Sequence, residues 1–160
     1  MVTEHLPESR RLRALAFWLG GEWIQDFEHQ IDGTPCADVI DGRRLVHIAD
    51  NVLALYPNDE PGREMGAVSY LGVPLLDAAE TVLGHLAVLD RRPMPAEPRA
   101  EALIRIFAAR ASAELQRLCR ADEGRRLREV RETRDRTFCN LRPRGPLPER
   151  DCSPPVRRPH

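Results

Sequence analysis

The sequence predicts an α+β fold, and three consecutive segments carry that prediction. Two runs with the composition of β-strands, "AVSYLGVPLLD" and "TVLGHLAVLD", are separated by a turn at Ala78, Ala79 and Glu80. The Pro-rich loop "RRPMPAEPR" follows, and from Glu97 the apolar residues recur at helical spacing. Two strands joined by a tight turn pair antiparallel, so an antiparallel sheet followed by a long helix is expected. Pro74 lacks a backbone N–H, so its strand should bulge or lie near an edge there.

A second hairpin is predicted at the start of the chain, where "MVTEH" and "RLRALAFWLGG" flank the polar turn "LPESR". Both alternating sets of residues in the longer run are mostly apolar, which is typical of a strand covered on both faces. A helix over "RRLRALAFWL" is the alternative, because these residues are also good helix formers. Trp18 and Trp23 are interpreted as core residues or as the rim of a pocket.

Short helices are predicted between the two hairpins. Thr34 can cap a helix that starts at Pro35, which has no N–H to leave unsatisfied, and that ends at Gly42. The segment "LVHIA" is predicted as a brief strand, and Asp50 can cap another short helix through Tyr56. The chain should then be broken by Pro57, Pro61 and Gly62.

The C-terminal helix is amphipathic only in its first part. Its apolar stripe, expected to lie partly buried on the sheet, consists of Ile104, Phe107, Ala108, Ala111, Leu115 and Leu118. Beyond Arg120 the stripe decays among charged residues, so residues 121–136 are predicted to extend the helix without a sustained coiled-coil seam. Residues 137–160 are rich in Pro and Arg and are expected to be disordered.

Size and composition indicate one soluble domain. The chain has 160 residues, of which 42% are hydrophobic, and no apolar run is long enough to span a membrane. We expect a cytoplasmic protein without membrane association. The basic excess near the C-terminus lacks interleaved aromatic residues, so a solvated tail is favoured over a nucleic-acid site. The four cysteines have no metal-binding or disulfide spacing and are expected to be free thiols: Cys36, Cys119, Cys139 and Cys152.

Several motifs in combination resemble the GAF sensory domains of bacterial signalling proteins: "DGTPCADVI", "SYLGVPL", "GHLAVLD" and "IRIFAARASAEL". The resemblance covers residues 1–120. It implies an antiparallel sheet with helices on one face, while short helices and loops close over a ligand pocket on the other. GAF domains are found ahead of histidine-kinase, diguanylate-cyclase or transcription-activator modules, and they usually form homodimers through their first and last helices.

This chain departs from the family pattern at both ends. The helix that normally precedes the first strand is missing, and the last helix runs into the Pro- and Arg-rich tail instead of an output module. A stand-alone sensory module and a shortened remnant of a larger regulator both remain open. The signatures of cyclic-nucleotide-binding, bilin-binding and methionine-sulfoxide-reducing GAF domains are not found, so the cofactor and the small-molecule ligand are unknown.

Each candidate ligand-binding residue has a possible structural role as well. Cys36 in the first turn of a helix could be a reactive or ligand-contacting thiolate, or else a small buried hydrophobe. A strand histidine could ligate a haem or a metal, but is more often a hydrogen-bonded core residue, and no metal site is assigned. Tyrosines and an acid near the pocket could orient a ligand, or could pack and face solvent. The resulting set is Thr34, Cys36, His47, Tyr56, Glu64, Tyr70 and His85.

The expected function is regulatory and not catalytic. The domain should bind an unknown small molecule and transmit a signal through its last helix, in two-component or transcriptional regulation. One alternative is a dimerisation module with an empty pocket. A second is an enzyme acting through Cys36, and a weaker one is nucleic-acid binding by the Arg-rich tail. The stripe assigned to signalling and dimerisation is Ile104, Phe107, Ala111, Leu115 and Leu118.

Overall fold

The computed structural model describes the backbone of residues 1–140 and the side chains of residues 1–118, 120 and 121. Its strands are β1 (Val2–Leu6), β2 (Arg11–Ala16), β3 (Trp18–Leu19), β4 (Glu22–Trp23), β5 (Glu28–Gln30), β6 (Val46–Ile48), β7 (Ser69–Leu76) and β8 (Val82–Asp90). Its helices are α1 (Pro35–Gly42), α2 (Val52–Leu55), α3 (Glu60–Met65) and α4 (Pro98–Asn140). No helix within the described residues is long and apolar enough to cross a membrane.

The predicted α+β architecture is confirmed. Six strands form one antiparallel sheet in the order β5-β2-β1-β8-β7-β6, and β3 pairs with β4 in a separate hairpin. The two predicted hairpins, β1–β2 and β7–β8, meet in the middle of the sheet, where β1 pairs with β8. The turn before β8 is held by Asp77, whose Oδ1 accepts backbone hydrogen bonds from Ala79 and Thr81, both at 2.8 Å.

The two faces of the sheet carry separate apolar clusters. Because successive side chains of a strand point to opposite faces, β7 supplies both. Tyr70 packs with α1 residues such as Val39 on one face. On the other face of the sheet, Leu71 and Leu75 pack with Ile104 of α4. The short helices and α4 thus cover opposite faces, as the family resemblance implied.

The first strand pair differs from its prediction in detail. β2 is a strand and not a helix, but it ends at Ala16 and gives way to the β3–β4 hairpin. Gly20 and Gly21 make that turn at φ values of 62° and 98°, which glycine adopts without strain. The prediction that both faces of β2 are covered is wrong, because Arg13 and Leu15 are exposed.

The edge prediction at Pro74 is confirmed. β6 pairs with β7 only as far as Gly72, so Pro74 lies beyond the end of the edge strand. On its other side Pro74 is opposite His85, and the register shifts slightly later, between Leu75 and Leu76. The missing N–H therefore falls where no further strand is paired among the described residues.

The starts of the helices were predicted more accurately than the side chains that cap them. Thr34 precedes α1 as predicted, but its hydroxyl donates to the carbonyl of Ile31 at 2.6 Å and does not cap the helix. The cap position of α2 is Asn51, in the left-handed region at φ 54°, so the prediction of Asp50 as its cap is wrong. Asp50 accepts a hydrogen bond from the Asn51 amide instead.

Helix α3 was not predicted, because Pro61 and Gly62 were interpreted as breakers. Pro61 is in the first turn, where the absent N–H has no helical partner to lose. The carboxylate of Asp59 accepts a hydrogen bond from the Gly62 amide at 2.9 Å and caps the helix. The same residues that end regular structure elsewhere therefore begin a helix at this position.

α4 begins one residue after the predicted start at Glu97. The compact body of the chain is Met1–Ala121, and the residues from Asp122 onward form a unit of their own. α4 includes residues 137–140, which were predicted to be part of the disordered tail. The remainder of that prediction, over residues 141–160, lies outside the described residues.

We predict that Gly84→Ala strongly destabilises the fold. A Cβ at Gly84 would overlap the backbone carbonyl oxygen of Thr3 on the neighbouring β1 strand, so the β1–β8 pairing would have to shift. The expected loss in the free energy of unfolding is about 1–3 kcal/mol or more, measured by urea titration. Gly42→Ala is the matched control, because its Cβ would meet only the flexible side chain of Arg44. Equal losses in the two variants would contradict this account of the pairing.

Candidate functional site

The predicted ligand hollow is almost completely filled. Between α1, α3 and the sheet lies an internal cavity of about 20 Å³, to which Cys36, Asp59 and Tyr70 contribute. A volume of this size has room for about one water molecule. The segment from Thr34 to Asp59 therefore covers a packed core in this arrangement, and a ligand-sized space is not open beneath it.

Cys36 is a buried thiol and not a thiolate. The Tyr70 hydroxyl donates to its Sγ at 3.7 Å, and both side chains are buried. Burial raises the pKa of Cys36 to about 12, and this effect outweighs the hydrogen bonds from Tyr70 and Thr34 that favour the thiolate. Of the two alternatives for Cys36, the small buried hydrophobe agrees better with this environment than the thiolate, because a short helix N-terminus cannot offset complete desolvation.

Tyr56 and Glu64 lie outside the internal cavity. The Tyr56 hydroxyl donates to Oδ2 of Asp38 at 2.5 Å, which ties the end of α2 to α1. Burial, followed by this bond to a carboxylate, raises the pKa of Tyr56 to about 12. Glu64 is exposed on α3. Of the predicted set, the structure brings together Thr34, Cys36 and Tyr70.

The two predicted histidines face opposite sides of the sheet. His47 is opposite Leu71, a member of the cluster under α4, and its Nε2 donates to the carbonyl of Met94 at 2.8 Å. His85 is fully buried on the other face, where its Nδ1 is 2.6 Å from the Thr3 hydroxyl. The two imidazoles thus cannot share a ligand. Among the described residues, no three His, Cys, Asp or Glu side chains are grouped so that they could hold a metal ion.

Sequence reasoning missed a cluster of histidines on the face of the sheet that α1 covers. His5 and His29 both lie opposite Leu12 on the neighbouring strands, and Thr3 on the same face of β1 lies opposite His85. In each of these histidines one ring nitrogen is buried without a hydrogen-bond partner: His5 Nε2, His29 Nδ1 and His85 Nε2. Burial is the first cause that lowers the pKa of His29 to about 4 and of His85 to about 3.

An open pocket lies elsewhere, beside the C-terminal half of β8. We call it the β8 pocket; its volume is about 650 Å³, and its walls include Phe17, Trp18, Leu19, Ala67, Val88, Arg91 and Arg92. The only sequence signal for it is the "WLGGEW" hairpin, which carries Trp18 away from the sheet with 55% of its surface exposed. Trp18 therefore lies at a pocket rim, one of the two roles proposed for it, while Trp23 is exposed as well.

A second open space, the α4 groove, runs between α4 and the sheet. It has a volume of about 600 Å³ and almost entirely apolar walls, formed by Leu71, Leu86, Val88, Leu103, Ile104 and Phe107 among others. Within the predicted stripe Ile104, Ala108 and Leu115 are buried, and Ala111 is half-buried. The stripe is thus partly buried, as predicted, and its exposed members are Phe107 and Leu118, with 61% and 55% of their surface exposed.

Comparisons with known proteins agree with this architecture. The family model described as GAF domain matches residues 8–115. The chain is similar to the GAF domain of a phosphoenolpyruvate-protein phosphotransferase from Coxiella burnetii, with a TM-score of 0.59, 17% identity, and coverage of 77% of this chain and 73% of that chain. The GAF domain of the Acinetobacter phosphoenolpyruvate-protein phosphotransferase gives a TM-score of 0.58 and 16% identity, with coverage of 76% and 72%.

A photoreceptor domain has the same fold. The blue-light absorbing form of the PixJ GAF domain from Thermosynechococcus elongatus gives a TM-score of 0.55 and 17% identity, covering 78% of this chain and 77% of that chain. At these identities the likeness concerns the fold and not the ligand. No curated protein matches the chain in sequence.

We predict that mild acid destabilises the domain. His29 and His85 stay neutral in the fold because their pKa values are lowered, whereas in the unfolded chain they bind protons below their ordinary pKa of 6.5. The unfolded state therefore binds more protons as the pH falls from 6.5 toward about 4, and the free energy of unfolding should fall by about 1.4 kcal/mol per pH unit for each proton.

Urea titrations at a series of pH values measure this slope. A double variant, His29→Gln with His85→Gln, removes the two histidines with the most strongly lowered pKa values and should make the dependence of the unfolding free energy on pH less steep. A double variant with the slope of the parent protein would show that other groups cause the acid sensitivity.

Proposed function

The chain belongs to the GAF family, and from that premise we propose that it is a ligand-responsive sensory domain whose output is the pairing of α4 with a second copy. GAF domains are sensory and regulatory modules and are generally not catalytic. The domain would act in the cytoplasm and would bias a histidine-kinase or transcription-activator module in two-component or transcriptional regulation. The free, buried thiol of Cys36 is compatible with a reducing compartment.

One side chain carries this proposal. Val88 of β8 forms part of the wall of both the β8 pocket and the α4 groove, and 45% of its surface is exposed. A molecule in the pocket and a helix in the groove would therefore both contact Val88. Two binding events that contact the same residue are linked when they prefer different arrangements of that residue.

The output surface is the side of α4 that borders the groove. Leu103 and Phe107 are exposed large apolar residues beside a groove whose floor is apolar sheet. Exposed apolar area of this kind is costly in water and is typical of a protein interface. Helix pairing by a second copy would cover it, and a ligand that prefers one arrangement of the sheet edge would shift that pairing.

Two alternatives follow from the internal cavity. An enzyme acting through Cys36 would need a reachable thiolate, and the burial and raised pKa of this thiol argue against it. A dimerisation module without a ligand is the stronger alternative, because the space beneath the Thr34–Asp59 segment has a volume of only about 20 Å³. Such a module would form the same dimer, but small molecules would not affect it.

We expect Phe107→Glu to dissociate the dimer. A carboxylate at this position would be desolvated in the apolar groove, so a dimer that buries the groove should weaken by at least about tenfold, as measured by sedimentation equilibrium. Ile106→Glu is the matched control: Ile106 is 65% exposed, similar to Phe107, but it does not form part of the groove. If both variants dissociate equally, or if the parent protein is a monomer, the groove is not the dimer interface.

We also expect some small metabolites to raise the melting temperature. A ligand that binds only the folded state stabilises it by about 2.7 kcal/mol at a concentration of 100 times its dissociation constant. The same ligand should change the dimer dissociation constant, since linkage is reciprocal. A broad metabolite panel that moves neither quantity would leave the dimerisation module as the better description.

A further inference from the structure

We infer that the β8 pocket binds an aromatic carboxylate, that is, a flat apolar ring carrying one anionic group. This inference rests on the proposed sensory function and adds a chemical class for its ligand. It follows from the size of the pocket, from its aromatic wall and from the two arginines that line it.

The volume of the pocket suits a small organic molecule. Ligand sites in proteins typically enclose about 300–1,000 Å³, and the β8 pocket, at about 650 Å³, falls within that range. Most of its lining is apolar, with contributions from Phe17, Leu19, Met65 and Val88. The body of a fitting ligand is therefore apolar as well, since a polar body would lose its hydration without replacement.

The hairpin fixes an aromatic ring at the edge of the pocket. Trp18 is opposite Trp23 in the β3–β4 pair, and their rings pack edge to face with centroids 5.1 Å apart and planes at 71°. This contact orients the Trp18 indole before any ligand arrives. Phe17 is buried beside it and packs on Phe27 with centroids 4.9 Å apart. A preoriented indole favours a flat ring that can stack on it over a flexible aliphatic chain.

The pocket wall also carries positive charge. Arg91 and Arg92 follow β8 and both line the pocket. The Nε of Arg91 donates to the carbonyl of Met65 at 3.0 Å, which anchors the guanidinium and leaves its terminal amino groups as donors. Arg92 forms an ion pair with Asp90, in which the Arg92 Nε is 3.6 Å from the Asp90 Oδ1.

The balance of charge favours an anion with one negative charge. Two guanidinium groups and the carboxylate of Asp90 leave a small positive excess, which matches a single carboxylate. A guanidinium can bind a carboxylate through two parallel hydrogen bonds, and such charge-assisted bonds are stronger than neutral ones. A polyphosphate would need more cationic groups than this pocket supplies.

The tryptophans of the chain provide a local reporter for the test. The protein contains two tryptophans, Trp18 and Trp23, and both lie in the hairpin. Trp23→Phe keeps an aromatic partner and leaves Trp18 as the only indole, so its fluorescence reports on the pocket wall. Hydrocinnamate is the probe, because it combines a phenyl ring with a carboxylate. Hydrocinnamyl alcohol lacks the charge, and heptanoate lacks the ring.

The expected result is a saturable change in Trp18 emission with hydrocinnamate. The alcohol should bind at least about tenfold more weakly, because it loses the charge-assisted hydrogen bond. Heptanoate should bind about twofold to tenfold more weakly, because it loses only the stacking of its ring. Arg91→Gln should weaken hydrocinnamate by about tenfold and should leave the alcohol almost unchanged. Arg99→Gln is the matched control, because it removes an exposed arginine that does not line the pocket.

Equal binding of the acid and the alcohol would overturn the anion assignment, as would equal effects of Arg91→Gln and Arg99→Gln. Equal binding of hydrocinnamate and heptanoate would overturn the aromatic assignment, and no binding of any probe would overturn both. None of these outcomes decides the proposed sensory function, which is judged by the dimer measurements and by the metabolite panel. If hydrocinnamate binds as expected but no metabolite of the panel changes the melting temperature or the dimer dissociation constant, the sensory function alone is overturned.

Discussion

The antiparallel pairing of β7 with β8 is the constraint on which the rest of the structure depends. The ladder runs from Ser69 opposite Asp90 to Leu76 opposite Val82, the longest register in the sheet. β7 is buried along nearly all of its length, so one strand provides the floor of both apolar clusters. Tyr70 is in the cluster under α1, and Leu71 is in the cluster under α4. A slip of one residue would exchange these side chains between faces and would break both clusters at once.

The two faces are covered unequally, and this inequality determines where regulation can act. On the face of α1 the packing is dense, the histidines are desolvated and Cys36 is protonated, so ligand exchange there would require the core to open. On the face of α4 an apolar groove remains beside Phe107. The end of β8 lies where the two environments meet, and Val88 is accessible from the pocket as well as from the groove. In the proposed function, a ligand at this edge would influence helix pairing without disturbing the packed face.

The spacing of apolar residues and the identity of turn and capping residues were enough to predict the central hairpin, the helix at Pro35 and the start of α4. These features depend on local sequence. Properties that depend on burial could not be predicted in the same way. Cys36 has the position of an activated thiol, but burial raises its pKa and outweighs the hydrogen bond from Tyr70, which lowers it. The α3 helix was missed because a proline near a helix start and a proline that breaks a helix look alike until the Asp59 cap is seen. The β8 pocket was missed because residues far apart in sequence form it, with Trp18 and Arg91 as examples.

The position of Pro74 has a consequence for how the protein behaves in concentrated solution. The outer side of β7 past Gly72 has no further strand paired to it among the described residues. An open stretch of sheet can recruit strands from other molecules and seed fibrous aggregates. Because Pro74 offers no N–H, an arriving strand could not complete a continuous ladder there. Pro74 thus hinders the addition of a strand from another molecule at this edge of the sheet.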